Sequence, residues 1–373
     1  MTKNAKDNGQ VQLELLGIGS AKNRALRVNL EEALRQLELE APIQEVSSID
    51  QLLQYDISGI PALVINGRVV FQRIVPSVED IKIVLSVLMQ KEHTPQRVQR
   101  ILVPIDFSET AENAFRYGLD LAHFLGAQLH LLHVDSTPSD LGKKLSLDVP
   151  PNSKDYKERL IDALRDRLLR AEQSDPRLEQ LDVRTEVVGG QVVDEICRAA
   201  NDEAADLVVM GTTGETGLLD QWFGSISIQV ARRAPCPVLL IPDGVRFDPF
   251  ERVVYASNYH PVERRVLPKV VDFILPFGST VYFAHIHRQK QPPYQVLPES
   301  ENSVFHQNGV TFQLTTIESP DVVEGLNCFA KEKDARLMIM LMAQRPFFEE
   351  LFHRSATRKM IFNTRIPLMI MHK

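Results

Sequence analysis

The stretch Val208-Val209-Met210-Gly211-Thr212-Thr213-Gly214, followed after nine residues by Gly224-Ser225, decides how this 373-residue chain reads. A buried strand runs into a glycine-bearing turn, then a spacer, then a fresh helix start. Gly211 and Gly214 can take φ > 0 and let the main chain come close to a ligand. Gly224-Ser225 opens a helix whose unpaired N–H groups and positive dipole end favour an anion, with Ser225 Oγ as a further donor. The order suits phosphate binding. No Gly-Lys-Ser/Thr follows, so this is not a Walker loop, and it is not G-x-G-x-x-G. From spacing alone a tight turn after a strand accounts for the glycines equally well.

Around this stretch, residues 98–243 alternate strand and helix. Strands are expected at Ile101-Ile105, Gln128-Val134, Val183-Val188, Leu207-Met210 and Val238-Ile241, and helices at Glu109-Leu125, Ser153-Glu172, Val192-Asn201 and Ser225-Arg233. Apolar strands between amphipathic helices imply a mostly parallel sheet covered on both faces. Ligands of such sheets bind at the carboxyl ends of strands. The Gly211 loop follows one such end and Asp106 another.

Before this region, Val11-Leu16 alternates like a strand and Ala25-Leu39 places Leu26, Leu30, Ala33, Leu34 and Leu37 on one helical face. Ala62-Ile65, Asn66-Gly67 and Arg68-Phe71 read as a hairpin. Ser77-Met89 reads as a helix with Ser77 as N-cap. The polar run Lys91-Arg100 reads as a linker.

After it, residues 250–373 read as a divergent copy. Adding 152 carries Arg100 to Arg252, Gly126 to Gly278 and His133 to His285; adding 130 carries Leu207 to Leu337, Met210 to Met340, Ser225 to Ser355 and Pro237 to Pro367. The offset falls by 22 where the first copy places its second helix. Gln291-Gln307, polar and proline-bearing, is expected to be a loop with at most a short helix. A constant late offset makes duplication the simpler account. The copy replaces Gly211 by Leu341, Gly214 by Gln344, Gly224 by Arg354 and Asp106 by Asn258, so it is expected to be degenerate and free of nucleotide.

Ile101-Leu-Val-Pro-Ile-Asp-Phe-Ser-Glu-Thr-Ala111, the glycine pattern and Cys236-Pro-Val-Leu-Leu-Ile-Pro242 together resemble the universal stress protein family. The resemblance implies a five-stranded α/β fold of the adenine nucleotide alpha hydrolase-like kind and, for the glycine-motif branch, ATP binding. It assigns Gly211, Gly214, Gly224 and Ser225 to the phosphates. Pro104, Asp106 and Val134 fall at strand ends where the family contacts the nucleoside, and Met210 and Thr213 flank the first glycine. Asp106 also has a physical rationale: a strand-end carboxylate can accept from ribose hydroxyls or hold Mg²⁺ through water. It could equally cap the helix that follows.

Leu15-Leu16-Gly17-Ile18-Gly19-Ser20-Ala21-Lys22-Asn23 and Gly59-Ile60-Pro61-Ala62-Leu63-Val64-Ile65-Asn66-Gly67 resemble the small thioredoxin-like proteins. Ser20 and Asn23 stand where that family has its two cysteines, and Pro61 where it has its cis-proline. A thiol–disulfide exchanger needs a thiolate. No cysteine occurs before Cys197, so the segment is expected to be redox-silent.

A formal net charge of −7 and interleaved basic residues argue against a general nucleic-acid or anionic-membrane binder. No apolar run approaches the length of a membrane span. The three isolated cysteines, Cys197, Cys236 and Cys328, give no zinc spacing and suit reduced thiols in a cytoplasmic protein. His130 and His133, at i and i+3 of a strand, face opposite ways, so no metal site is expected.

The expected α/β architecture is a thioredoxin-like domain (1–95), a universal-stress-type domain with the nucleotide motif (98–243) and a degenerate copy (250–373). The last strands Val238-Ile241 and Leu368-Met371 are expected to pair within the chain. The expected function is a cytoplasmic ATP-binding stress or regulatory protein that uses its nucleotide as a switch. No catalytic base is identified, so any ATP hydrolysis is expected to be slow. Protein partners and a homodimer are compatible with this reading. The rival is a non-catalytic scaffold with vestigial nucleotide and redox sites.

Overall fold

The computed structural model describes residues 11–88, 95–135, 181–212, 225–257, 263–288, 294–296, 303–342 and 365–372. The first stretch contains β1 (Leu13–Leu16), α1 (Ala21–Gln36), β2 (Ile43–Val46), α2 (Ile49–Leu52), β3 (Ala62–Ile65), β4 (Arg68–Gln72) and α3 (Val78–Leu88). Its sheet runs β2-β1-β3-β4, with β1 parallel to β2 and antiparallel to β3. Leu26, Leu30, Ala33 and Leu34 form the buried stripe of α1, as their helical spacing requires. Asn66 (φ 52°) and Gly67 (φ 75°) make the left-handed pair that joins β3 to β4. The Ile60–Pro61 bond is cis, as the resemblance implies. Ser77 Oγ accepts from Asp80 N (3.1 Å) and donates to Asp80 Oδ2 (2.7 Å), capping α3 as expected. The short β2 and α2 lie between the segments legible from periodicity.

The second stretch contains β5 (Arg100–Pro104), α4 (Glu109–Leu125), β6 (Gln128–Asp135), β7 (Val183–Gly189), α5 (Val192–Asp202), β8 (Leu207–Gly211), α6 (Ser225–Arg233) and β9 (Val238–Ile241). The five strands are all parallel, in the order β9-β8-β5-β6-β7. The core residues Ile101, Val103, Leu129, Leu131, Leu207, Val209, Val238 and Leu240 are fully buried. Continuous apolar strands of this kind suit a sheet that is dry on both faces. α4 starts at the Ser108 cap and stops at Gly126, which is left-handed at φ 67°. The helix expected at Ser153-Glu172 lies outside the described residues.

The last stretch contains β10 (Arg252–Ser257), α7 (Glu263–Ile274), β11 (Thr280–His287), β12 (Gln295–Val296), β13 (Val304–Gln307), β14 (Val310–Glu318), α8 (Val322–Glu332), β15 (Leu337–Met342) and β16 (Leu368–His372). The region expected to be a loop, 291–307, instead supplies β12 and β13, both antiparallel to β14. The reason is a second left-handed pair, Asn308 (φ 50°) and Gly309 (φ 82°), which turns β13 into β14. The flanking Phe305, Val310 and Phe312 are buried, so the polar look of the segment hid an alternating strand.

Contacts divide the chain into two units, Met1–Pro95 with Val254–Leu326 and Gln96–Val253 with Asn327–Lys373. The stretch read as a third segment thus contributes to both. In the first unit β11 and β14 are parallel from Thr280↔Thr311 onward, and Arg68 Nη1 donates to His306 O (3.0 Å). In the second unit β16 pairs antiparallel with β9, with Met369 opposite Leu239. This is the expected pairing of the two last strands. It covers the outer edge of β9, which would otherwise be open to pairing with other chains. Among the described residues no helix is long and apolar enough to cross a membrane.

Candidate functional site

In the second unit the order β9-β8-β5-β6-β7 reverses direction between β5 and β8. The chain leaves β5 toward β6 and β7 on one side, then returns to β8 on the other. The carboxyl ends of β5 and β8 are therefore neighbours at the topological switch point, the place where open α/β sheets take their ligands. Pro104 ends β5, Gly211 ends β8, and Val134 lies next to the end of β6. Pro104, Asp106, Val134, Met210 and Gly211 thus lie at or just past the carboxyl ends of three adjacent strands. Ser225 is the first residue of α6. Thr213, Gly214 and Gly224 lie outside the described residues.

Asp106 is exposed, and its Oδ1 accepts from Ser108 N (3.0 Å) and Ser108 Oγ (2.6 Å). Ser108 Oγ in turn accepts from Ala111 N (3.1 Å). The N-cap of α4 is therefore Ser108, and Asp106 braces the cap instead of forming it, which corrects the alternative sequence reading of Asp106. Phe107 connects the two residues in a left-handed conformation (φ 66°) that non-glycine residues seldom adopt. Its buried ring lies 5.3 Å from that of His133. His133 Nδ1 is 2.7 Å from Ile105 O, a geometry in which the ring N–H donates and ties the ends of β5 and β6 together.

Gly211 is needed for a reason other than the expected one. It does not have positive φ. A Cβ built on it would lie 2.8 Å from the Thr110 carbonyl oxygen and 3.0 Å from the Thr110 carbonyl carbon. The first turn of α4 thus packs directly on the end of β8, and only a residue without a side chain fits between them. Beyond it, buried Thr212 donates its N–H to Ile241 O (3.2 Å), and Ser227 Oγ donates to Gly211 O (2.9 Å). The start of the glycine loop is held from both sides, by β9 and by α6. Buried Asn113 reaches from α4 to Pro242 O and Val245 O, each at 3.2 Å.

Sequence reasoning did not find Phe107, Thr110, His133, Thr212 or Ser227 as parts of this mouth. Ser108 had a readable signal, a serine just before the first apolar-periodic residues of α4. The left-handed Phe107 had none.

In the first unit, Ser20 and Asn23 form a structural pair. Ser20 Oγ caps α1 by accepting from Asn23 N (3.2 Å) and donates to Asn23 Oδ1 (2.9 Å). Buried Asn23 passes the chain on through Nδ2 to Leu16 O (3.2 Å). Amide and hydroxyl thus fill the helix start, and residues 11–88 contain no cysteine. All three cysteines are free. Cys236 is buried, and burial pushes its thiol up to about 12, while Cys197 and Cys328 are half-buried.

Residues 97–242 match the universal stress protein family, and residues 11–86 match the thioredoxin domain. A universal stress protein of Methanocaldococcus jannaschii is 30% identical over 156 residues, covering 38% of this chain and 94% of that protein. A thioredoxin of Methanothermobacter thermautotrophicus is 29% identical over 76 residues, covering 20% of this chain and 99% of that protein. The crystal structure of a universal stress protein from Archaeoglobus fulgidus covers 74% of this chain and 97% of its own, at 17% identity and a TM-score of 0.52. At that identity the likeness is one of fold.

Proposed function

The chain belongs to the universal stress protein family, and from that premise we infer that residues 98–243 hold one adenine nucleotide, ATP, in the crevice between β5 and β8. What supports this reading above all is the adjacency of the two loops: Asp106, two residues past the end of β5, and Gly211, the last residue of β8, follow neighbouring strands at the point where the sheet changes direction. In this reading Gly211, Gly214, Gly224 and Ser225 surround the phosphates with main-chain and hydroxyl donors. Pro104, Val134, Met210 and Thr213 line the nucleoside end. The exposed Asp106 carboxylate, braced through Oδ1, suits a ribose hydroxyl or a water-bound Mg²⁺. In this reading no side chain is given the part of a base that activates water. Binding alone then shifts the protein toward the conformation that holds the ligand better.

The same reading takes 1–95 as a redox-silent thioredoxin-like domain and 250–373 as a degenerate second copy, in a cytoplasmic regulatory protein. The test is to denature the purified full-length protein, identify any released nucleotide by chromatography, and titrate stripped protein with ATP calorimetrically. One adenylate per chain is expected. A protein that neither carries nor takes up an adenylate is the scaffold instead, with a vestigial loop. Gly224→Arg is the better disabling variant, because a side chain at 211 would strike Thr110 whether or not a nucleotide binds.

A further inference from the structure

On β6, three residues into the strand and away from the nucleotide crevice, His130 is 8% exposed and neither ring nitrogen is hydrogen-bonded. A buried polar group without a partner is uncommon in a folded protein. Its Nε2 lies 3.3 Å from Glu186 Oε2, on the neighbouring edge strand β7. Glu203, the C-cap residue just after α5, completes the group: one ligand atom each from His130, Glu186 and Glu203 lie within 4.8 Å of one another. Register explains the meeting. His130 is opposite Arg184 and Leu132 is opposite Glu186, so His130, Arg184 and Glu186 share one face of the sheet.

We propose that His130, Glu186 and Glu203 form a binding site for a divalent transition-metal cation such as Zn²⁺ or Co²⁺. One imidazole and two carboxylates form a borderline donor set that suits these ions better than Ca²⁺. Metal–ligand bonds of about 2.0–2.2 Å place two ligands on one ion no more than about 4.4 Å apart. The 4.8 Å limit therefore asks only for small rotations of two glutamates that are each 31% exposed. The negative end of α5 adds attraction for a cation at Glu203. Arg184 Nη1 now occupies that place, 2.7 Å from Glu203 Oε2. A metal ion would replace the guanidinium there and bind the buried imidazole, whose ring nitrogens make no hydrogen bond.

The experiment uses the full-length protein, stripped with chelator and free of nucleotide, so that its outcome is independent of the ATP reading. Zn²⁺ is titrated by calorimetry, and Co²⁺ is followed by its visible d–d absorption. One equivalent per chain is expected. Glu203→Gln and His130→Gln are each expected to weaken binding by at least tenfold. Should His130→Gln fail to fold by circular dichroism, Glu203→Gln on the exposed rim decides the matter. A wild-type protein that takes up neither ion would overturn the site, leaving an ordinary ion-pair cluster. So would a Glu203→Gln variant that binds as tightly as wild type.

Discussion

The stretches 98–243 and 250–373 share their main-chain bonding and part company at the carboxyl end of one strand. Asp206 N donates to Arg100 O (2.9 Å) as Arg336 N donates to Arg252 O (2.8 Å), and Val208 N to Pro237 O (3.0 Å) as Met338 N to Pro367 O (2.9 Å). His133 bonds Ile105 O (2.7 Å) and His285 bonds Ser257 O (3.2 Å). Left-handed residues recur at Gly126 and Gly278 and at Ala204 and Asp334. Each pair obeys the 152 or 130 offset. Yet Gly211 touches Thr110 main chain, and its counterpart is the buried Leu341. The frame is carried by register and turns, which tolerate many side chains. The close approach at the end of β8 depends on a single position, Gly211, so it can change while the frame persists.

Exchanging residues between the two stretches tests this contrast. The largest effect is expected for Leu341→Gly. Removing a buried leucine leaves a cavity, and glycine adds backbone entropy, for a loss of about 3–5 kcal/mol. Urea unfolding should show it, with no nucleotide binding gained in return. An unchanged midpoint would mean that Leu341 does not fill the space at its strand end. The reverse exchange, Gly211→Leu, is expected to cost about 1–3 kcal/mol by overpacking against Thr110. Full stability in that variant would show that α4 can move off β8, and would weaken the argument for a packed crevice mouth.

The next effect concerns the paired histidines. Replacing His133 by Phe strips the Ile105 carbonyl of a buried donor, at about 1–2 kcal/mol. His285→Phe should cost less, because His285 is only half-buried. His285 also confers a pH dependence. Burial holds its pKa below the ordinary value, outweighing the bond to Ser257 O, which raises it. The unfolded chain therefore takes up this proton first. Stability from this group is complete above the ordinary histidine pKa of about 6.5 and declines as pH falls toward the folded value. Wild type should lose more stability between pH 7 and pH 5 than His285→Phe. Equal losses would remove His285 from the account.

The legibility of the fold followed the strength of local periodicity. The parallel strands and α4 through α6 could be read because apolar runs of strand length alternate with helical stripes. The hairpin at Asn66-Gly67 was readable, and Asn308-Gly309 carried the same signal. Prolines and polar residues upstream, at 291–307, mask it. At the site, the glycines and Asp106 were visible, since turns and strand ends announce themselves by residue type. Thr110, Ser227 and the left-handed Phe107 were not, because their roles arise from tertiary approach between elements far apart in sequence. The reason for Gly211 was also invisible: a glycine required by a neighbour's carbonyl reads the same as one required by a ligand. His130 was read only against His133. Its neighbours Glu186 and Glu203 lie 56 and 73 residues further on: the parallel register of β6 with β7 brings Glu186 close, and the end of α5 brings Glu203.

The smallest expected change in stability, and the sharpest on function, is Asp106→Asn, which puts into the crevice the residue found at 258. An asparagine Oδ1 can accept from Ser108 N and Oγ as the carboxylate does, so the brace on the α4 cap survives. Unfolding midpoints should agree to within about 0.5 kcal/mol, as for other substitutions that remove no packing. What changes is the charge at the end of β5. If Asp106 meets water-bound Mg²⁺, ATP affinity should fall when Mg²⁺ is present and change little when it is chelated. If it meets a ribose hydroxyl, the fall should be the same in both conditions. A variant that binds ATP as wild type does in both conditions would take Asp106 out of the site. The crevice would then rest on the main chain around Gly211 alone.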